Sequence, residues 1–214
     1  MDLQKFAEKT QKGLAHRKAE LSRLSIMVNG SHRDTSQESV LCRSSIVLAY
    51  AHWEGFVKQV SKLYVEYVNS CKVPVLDLKP CFQAAHVQTH LNRASKGVRI
   101  PFLAELLDKI DLDRRATFFV DPAKLVDTES NLTSEVFRNI VGSIGLPYLE
   151  FYSTRQAFID EKLVFSRNQI AHGELVPFRS ADVAERIETV RILLDMFANQ
   201  VLDAARDSSF LRMR

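Results

Sequence analysis

Apolar side chains recur at three- and four-residue steps along most of this chain. The period breaks only where glycine, proline or a capping residue intervenes. Residues 2–27 read as an amphipathic helix, with Leu3, Phe6, Leu14, Leu21 and Leu24 on one stripe. The run from Val28 to Asp34, with its Asn29-Gly30 pair, is a loop. Thr35 followed three residues later by Glu38 is a capping-box signature. The helix it opens runs from Ser36 to about Ser70 without a proline, and Val40, Ile46, Val47, Phe56, Val60, Leu63, Tyr64 and Tyr67 supply its apolar face. A helix of that length suits the centre of a bundle.

Beyond it, Pro74 and Pro80 mark a connector, and residues 81–94 and 101–110 read as shorter helices separated by Ser95-Lys96-Gly97 and Pro101. Between 111 and 132 the pattern weakens, and Thr117-Phe118-Phe119-Val120 fits a short strand or a buried loop equally well. Residues 133–143 return to helix, closed by Gly142 and Gly145, and Pro147 opens the next segment. Ser153 and Gln156 form another capping box, ahead of a helix carrying Phe158, Leu163, Val164 and Phe165 up to His172, with Gly173 as its stop. Ser180 caps a last helix over about 181–206, whose apolar face is Ile187, Val190, Leu194, Phe197, Val201 and Leu202. The expectation is an all-α bundle in a single domain spanning 1–214. Its core helices lie at about 2–70 and 133–206, with 71–132 as inserted helices and loops.

Composition narrows the function classes. Seven glycines and six prolines in 214 residues are too few for an all-β fold, which needs a turn signal every 8–12 residues or so. A net charge of +3 is below what a dedicated duplex-DNA surface carries, yet compatible with RNA held at one small site. Cys42, Cys71 and Cys81 are an odd number without a Cys-x-x-Cys spacing, so reduced thiols in a cytoplasmic protein are expected. The N-terminal segment lacks the apolar core of a signal peptide, and no stretch approaches the ~18 consecutive apolar residues of a membrane span.

The stretch with the most chemistry is Phe165-Ser166-Arg167-Asn168-Gln169-Ile170-Ala171-His172-Gly173-Glu174. Arginine offers a rigid fork of donors suited to a phosphodiester, and histidine is the side chain best tuned for proton transfer near neutral pH. Asn168 and His172 are four apart and share a helical face, so the amide can hold the imidazole in one orientation. Arg167 and His172 are five apart, about 140° round an ideal helix. The long arginine stem, or a loosened last turn before Gly173, must bring them together. An ordinary structural role stands beside this one, because an Arg and a His near a helix C-terminus also complement the helix dipole and cap its carbonyls.

Two words of the sequence resemble a known family. Arg167-Asn168-x-x-x-His172 is similar to the Arg-polar-x-x-x-His signature of HEPN domains, in the setting Leu163-Val164 followed by Arg-Asn-x-Ile-Ala-His-Gly. About a hundred residues upstream, Leu48-Ala49-Tyr50-Ala51-His52-Trp53-Glu54-Gly55-Phe56-Val57-Lys58 resembles a helix of stand-alone bacterial HEPN proteins of the RiboL-PSP-HEPN and MAE types. The resemblance implies an all-α bundle that forms a homodimer and brings two Arg-x4-His motifs into one cleft. It also implies cleavage of RNA without metal or cofactor, by attack of the ribose 2′-hydroxyl on the adjacent phosphorus to leave a cyclic phosphate. His172 is then the general acid or base, Arg167 stabilises charge on the phosphoryl oxygens, and Asn168 orients His172 or touches the phosphate. A toxin or defence effector, with an antitoxin or other neutralising partner, is the biological setting expected. The alternative is a non-catalytic HEPN module that binds RNA, a nucleotide or a partner protein.

Other residues carry weaker signals. Trp53, the one tryptophan, suits a core or dimer-interface anchor. Glu54 either faces the cleft and pairs with Arg167 or serves its own helix, and Arg43 is a further candidate for a substrate contact. His86 and His90 have the i, i+4 spacing of metal ligands near Cys81, but no Glu of a His-Glu-x-x-His site and no third ligand accompany them, so a solvated face is expected. The basic stretch from Arg93 to Arg99 reads as a solvated loop within reach of an RNA backbone. No Gly-x-x-x-x-Gly-Lys loop and no Gly-x-Ser-x-Gly elbow are present.

Overall fold

Three long helices form the body of the molecule: α1 (Leu3–Asn29), α2 (Ser36–Ser70) and α8 (Ser180–Arg206), each packed against the other two. The structure is a computed structural model that describes residues 1–31, 35–91, 100, 101, 104, 107, 108 and 115–212, without the side chains of 89–91. Between α2 and α8 the order is a 3-10 turn (Val75–Asp77), α3 (Pro80–Leu91), α4 (Pro122–Leu125), α5 (Ser134–Ser143), α6 (Glu150–Ser153), a π-helical turn (Phe158–Phe165) and α7 (Ser166–Ala171). Among the described residues there is no β-strand, only the isolated bridges Pro74–Thr117 and Leu78–Leu211. The fold is all-α.

Local chemistry sets the helix ends. Asp2 accepts from the Lys5 amide at the start of α1, and Thr35 accepts from the Glu38 amide at the start of α2. Thr133 does the same for α5 through the Val136 amide. The stripe Phe6, Leu14, Leu21, Leu24 and Val28 buries one face of α1. At 35 residues, α2 is about 50 Å long at 1.5 Å per residue. Its last third is buried on nearly every side, from Val60 through Asn69, as the central member of the bundle requires.

One aromatic cluster joins the middle elements to the body. Phe137 of α5 meets Trp53 of α2 edge-on at 4.9 Å between centroids, Tyr152 of α6 at 4.9 Å and Phe197 of α8 at 5.5 Å. Trp53 is fully buried in it, which fits the core anchor. Lys18 of α1 pairs with Asp195 of α8 at 2.7 Å, a half-exposed tie of small energetic weight.

Several expectations need correction. Ser153 does not cap the motif helix. It lies at the end of α6 and its hydroxyl donates to the Glu150 carbonyl at 2.9 Å. The stretch before Arg167 is a π-helical turn and not a continuous α-helix. Ser180 is the first residue of α8, not its cap, and its hydroxyl donates to the Glu38 carboxylate of α2. Thr117 to Val120 is a buried loop: Phe118 and Val120 point inward while Phe119 is exposed. The helix expected over 101–110 and the basic stretch Arg93–Arg99 lie largely or wholly outside the described residues.

Two side chains of α2 fasten this irregular middle. Asn69 is buried and bonds both backbone groups of Val120, donating to its carbonyl at 2.8 Å and accepting from its amide at 3.1 Å. The Tyr50 hydroxyl accepts from the buried Leu132 amide at 2.8 Å. Burial is the first reason the Tyr50 phenol is pushed up to about 12, and the Glu54 carboxylate that accepts its proton adds to this. The Leu132 amide and the Arg167 charge oppose the shift.

Asn69→Ala leaves two buried backbone groups without partners, at about 1–3 kcal/mol each. A destabilisation of at least about 2 kcal/mol is expected in urea unfolding. Tyr50→Phe strands the Leu132 amide in the same way and should cost about 1–3 kcal/mol, with the bundle retained by circular dichroism. The raised phenol also fixes a sign in alkali. The unfolded chain releases the Tyr50 proton near pH 10 while the folded protein keeps it to about 12, so stability falls as pH climbs through that window. The fall should be shallower in Tyr50→Phe, measured as melting temperature against pH.

Candidate functional site

The π-helical turn, a rare element found frequently at functional sites, leads directly into the Arg167 helix. Its surroundings hold it on both sides. Asp160 accepts from the Ser134 amide at 2.7 Å and from the Ser134 hydroxyl at 2.6 Å, anchoring the turn to the start of α5. On the other side, Arg186 of α8 donates to the Lys162 carbonyl at 2.8 Å and to the Ser166 hydroxyl at 3.0 Å. Its guanidinium lies over the Phe178 ring at 5.2 Å. Burial pulls the Arg186 pKa below its ordinary value, against the pull of Asp182 and Glu185.

Arg167 emerges from this turn half-buried and tightly placed. Its Nη1 donates to Asn131 Oδ1 at 2.9 Å and to Asn168 Oδ1 at 2.7 Å. The guanidinium carbon sits 4.9 Å from the centre of the Tyr50 ring, a cation–π contact. Among the described residues no acceptor meets Nη2 or Nε, the edge of the fork that binds an oxyanion with two parallel hydrogen bonds. Arg167 is therefore fastened on one side and open on the other.

His172 stands apart from that cluster. Gly173, at φ +82°, is the left-handed residue that ends α7, with the Gly173 amide on the Ile170 carbonyl at 3.1 Å and the Glu174 amide on the Gln169 carbonyl at 3.0 Å. That is a Schellman cap. The carbonyls at the helix end are thus met by backbone amides, and neither Arg167 nor His172 spends its side chain on capping. The His172 imidazole is exposed and makes no hydrogen bond among the described residues.

The candidates separate accordingly. Asn168, expected to orient His172 or touch phosphate, gives its side-chain oxygen to Arg167, and only its main-chain carbonyl meets the His172 amide, at 2.9 Å. Glu54 is half-buried and neighbours the Tyr50 hydroxyl rather than forming an ion pair with Arg167, so one tyrosine lies beside both the carboxylate and the guanidinium. Arg43 makes no contact with this cluster, and its Nε is buried without a hydrogen-bond partner. His86 lies 6.3 Å from the Phe118 ring, while the His90 side chain lies outside the described residues. Among the described residues no group of three His, Cys, Asp or Glu is placed to hold a metal. The three cysteines are free thiols.

Sequence reasoning passed over two members of the site. Tyr50 lies inside the upstream word and four residues before Glu54, a spacing that puts both on one face of α2. Asn131 lies 36 residues from Arg167 in an irregular loop, where no periodic signal exists to find it.

No helix among the described residues is long and apolar enough to cross a membrane. No curated protein and no solved structure matches the chain. The family model RiboL-PSP-HEPN matches residues 12–203, all but eleven residues at each end. That span holds all of α2, most of α8 and the last two thirds of α1, and includes Tyr50, Glu54, Asn131, Arg167, Asn168 and His172. With an all-α fold and both sequence words inside the match, the chain belongs to the RiboL-PSP-HEPN family.

Proposed function

We propose that this protein is a metal-independent endoribonuclease that works as a homodimer, as a toxin or defence effector in the cytoplasm held in check by a neutralising partner. The observation that carries the reading is the division within the motif. Among the described residues, a guanidinium is fastened by Asn131, Asn168 and Tyr50 with its other edge open, and an exposed imidazole five residues later makes no hydrogen bond. Family membership supports a ribonuclease or nucleotide-related activity in coarse terms.

In the proposed reaction, the ribose 2′-oxygen forms a bond to the adjacent phosphorus and the P–O5′ bond breaks. The 2′-hydroxyl gives its proton to a base, and the departing 5′-oxygen gains one from an acid. His172 fills one of these roles and the second copy's His172 the other. Arg167 places its open edge against the phosphoryl oxygens, where negative charge grows in the transition state. Phe165 is 59% exposed and Leu175 87% exposed, one on each side of the motif in sequence, and exposed apolar side chains so near it favour a second chain covering them.

The test is cleavage of mixed RNA in EDTA by wild type, Arg167→Ala and His172→Ala, with product ends identified. Wild type alone should cut, leaving cyclic phosphates, and either variant should lose at least about a hundredfold in rate, the scale of a general acid or base. Binding without cleavage by wild type favours the non-catalytic module. Equal cutting by all three overturns the assignment. The dimer is tested by light scattering at micromolar concentration together with mixing of Arg167→Ala and His172→Ala chains. An active monomer would overturn it.

A further inference from the structure

The Asn131 side chain has more hydrogen-bonding capacity than Arg167 uses. An amide carries one acceptor oxygen and two N–H donors, and a guanidinium can only donate. The contact at 2.9 Å therefore fixes Oδ1 on Arg167, and the two N–H donors of Asn131 Nδ2 have no partner among the described residues. The same holds at Asn168, whose Oδ1 is likewise taken. Beside the Arg167 guanidinium both amides turn an oxygen to the cation and keep their N–H donors for another acceptor. Donors beside a fixed cation suit an anion.

Asn131 is also held in place by the residues that follow it. The Thr133 amide closes a tight turn onto the Asn131 carbonyl at 2.9 Å. Leu132 is locked through its amide to Tyr50 at 2.8 Å, Thr133 caps α5, and Ser134 is bound twice by Asp160. Immediately before, the Asp127 carboxylate accepts from the Glu129 amide at 2.9 Å and supports the left-handed backbone there, at φ +53°. A side chain carried on so constrained a loop loses little entropy when a ligand arrives.

We propose that Asn131 is a substrate-binding residue, donating from Nδ2 to a non-bridging oxygen of the phosphate that Arg167 holds. This rests on the reading of the Arg167 site as an RNA phosphate site. Asn131 comes from the loop between α4 and α5 and Arg167 from α7, so the phosphate is gripped from two separate parts of the chain. The ligand class is the ribose-phosphate backbone, read without regard to base.

The experiment is a double-mutant cycle on binding, independent of catalysis. Wild type, Asn131→Ala, Arg167→Ala and the double variant are titrated with a 2′-O-methyl RNA oligonucleotide, which has no hydroxyl to attack, by fluorescence anisotropy at fixed salt. A hydrogen bond to a charged oxygen predicts about a tenfold rise in Kd for Asn131→Ala, and a further rise of at least about threefold when the change is made on top of Arg167→Ala. If Asn131 acts only by positioning Arg167, the second rise vanishes and the proposal is overturned. No rise in either background, or no binding by wild type, overturns it too. Asn131→Leu, close in volume and without donors or acceptor, repeats the cycle should the alanine variant fold poorly. Failure of the parent reading looks different: wild type would leave ordinary RNA uncut while the binding cycle still came out as expected.

Discussion

The Tyr50 hydroxyl sits where α2, the loop before α5 and the Arg167 cluster meet, and burial obliges it to be satisfied there. It has two partners, the Leu132 amide that donates to it and the Glu54 carboxylate that accepts from it. The face of the same ring carries the Arg167 guanidinium. A phenol suits this junction because one side chain supplies an acceptor, a donor and an electron-rich surface. The position of the loop and the position of the cation both refer to this one residue. It is placed in turn by α2, the most buried helix of the bundle.

The π-helical turn is the second constraint. Widening a helix by one residue per hydrogen-bonded ring changes the direction in which later side chains leave it. Here Leu163 and Val164 stay in the core, Phe165 turns out, Ser166 is buried against Arg186, and Arg167 arrives at Tyr50 and Asn131. Such a turn persists only where its neighbours hold it. The ties from Asp160 to Ser134 and from Arg186 to the Lys162 carbonyl do so from opposite sides. Arg186 is thus connected to the site without touching it.

How far the sequence could be read follows from where each element gets its order. The two N-terminal helices were legible because a regular stripe and, for α2, a threonine cap specify them locally: Phe6, Leu14, Leu21 and Leu24 in one, Thr35 and the unbroken run to Ser70 in the other. Ser153 and Ser180 were misread because a hydroxyl near a helix end has several nearby partners, and here Glu150 and the distant Glu38 win. The π turn left no mark, since Phe158, Leu163, Val164 and Phe165 satisfy an α-helical stripe as well as a wider one. Of the candidate site, Arg167, Asn168, His172 and Glu54 were readable only because they sit inside recognisable words. Asn131 had no such word, and its position depends on tertiary hydrogen bonds alone.

The proposed chemistry can be set against the groups one chain holds near Arg167. Attack by a 2′-hydroxyl with loss of a 5′-oxygen moves two protons, one to a base and one from an acid. Tyr50 is a poor candidate for either role: its phenol is held protonated to about pH 12 and its proton is directed to Glu54. The two amides carry no acid or base group, and the Arg167 guanidinium serves as a donor of hydrogen bonds. His172 is the histidine of the motif, and its exposed imidazole makes no hydrogen bond among the described residues. In the proposed reaction one imidazole serves one of the two proton transfers, and a second copy of the motif would serve the other. The open edge of Arg167 and the bare ring of His172 are the groups each chain would bring to that shared site.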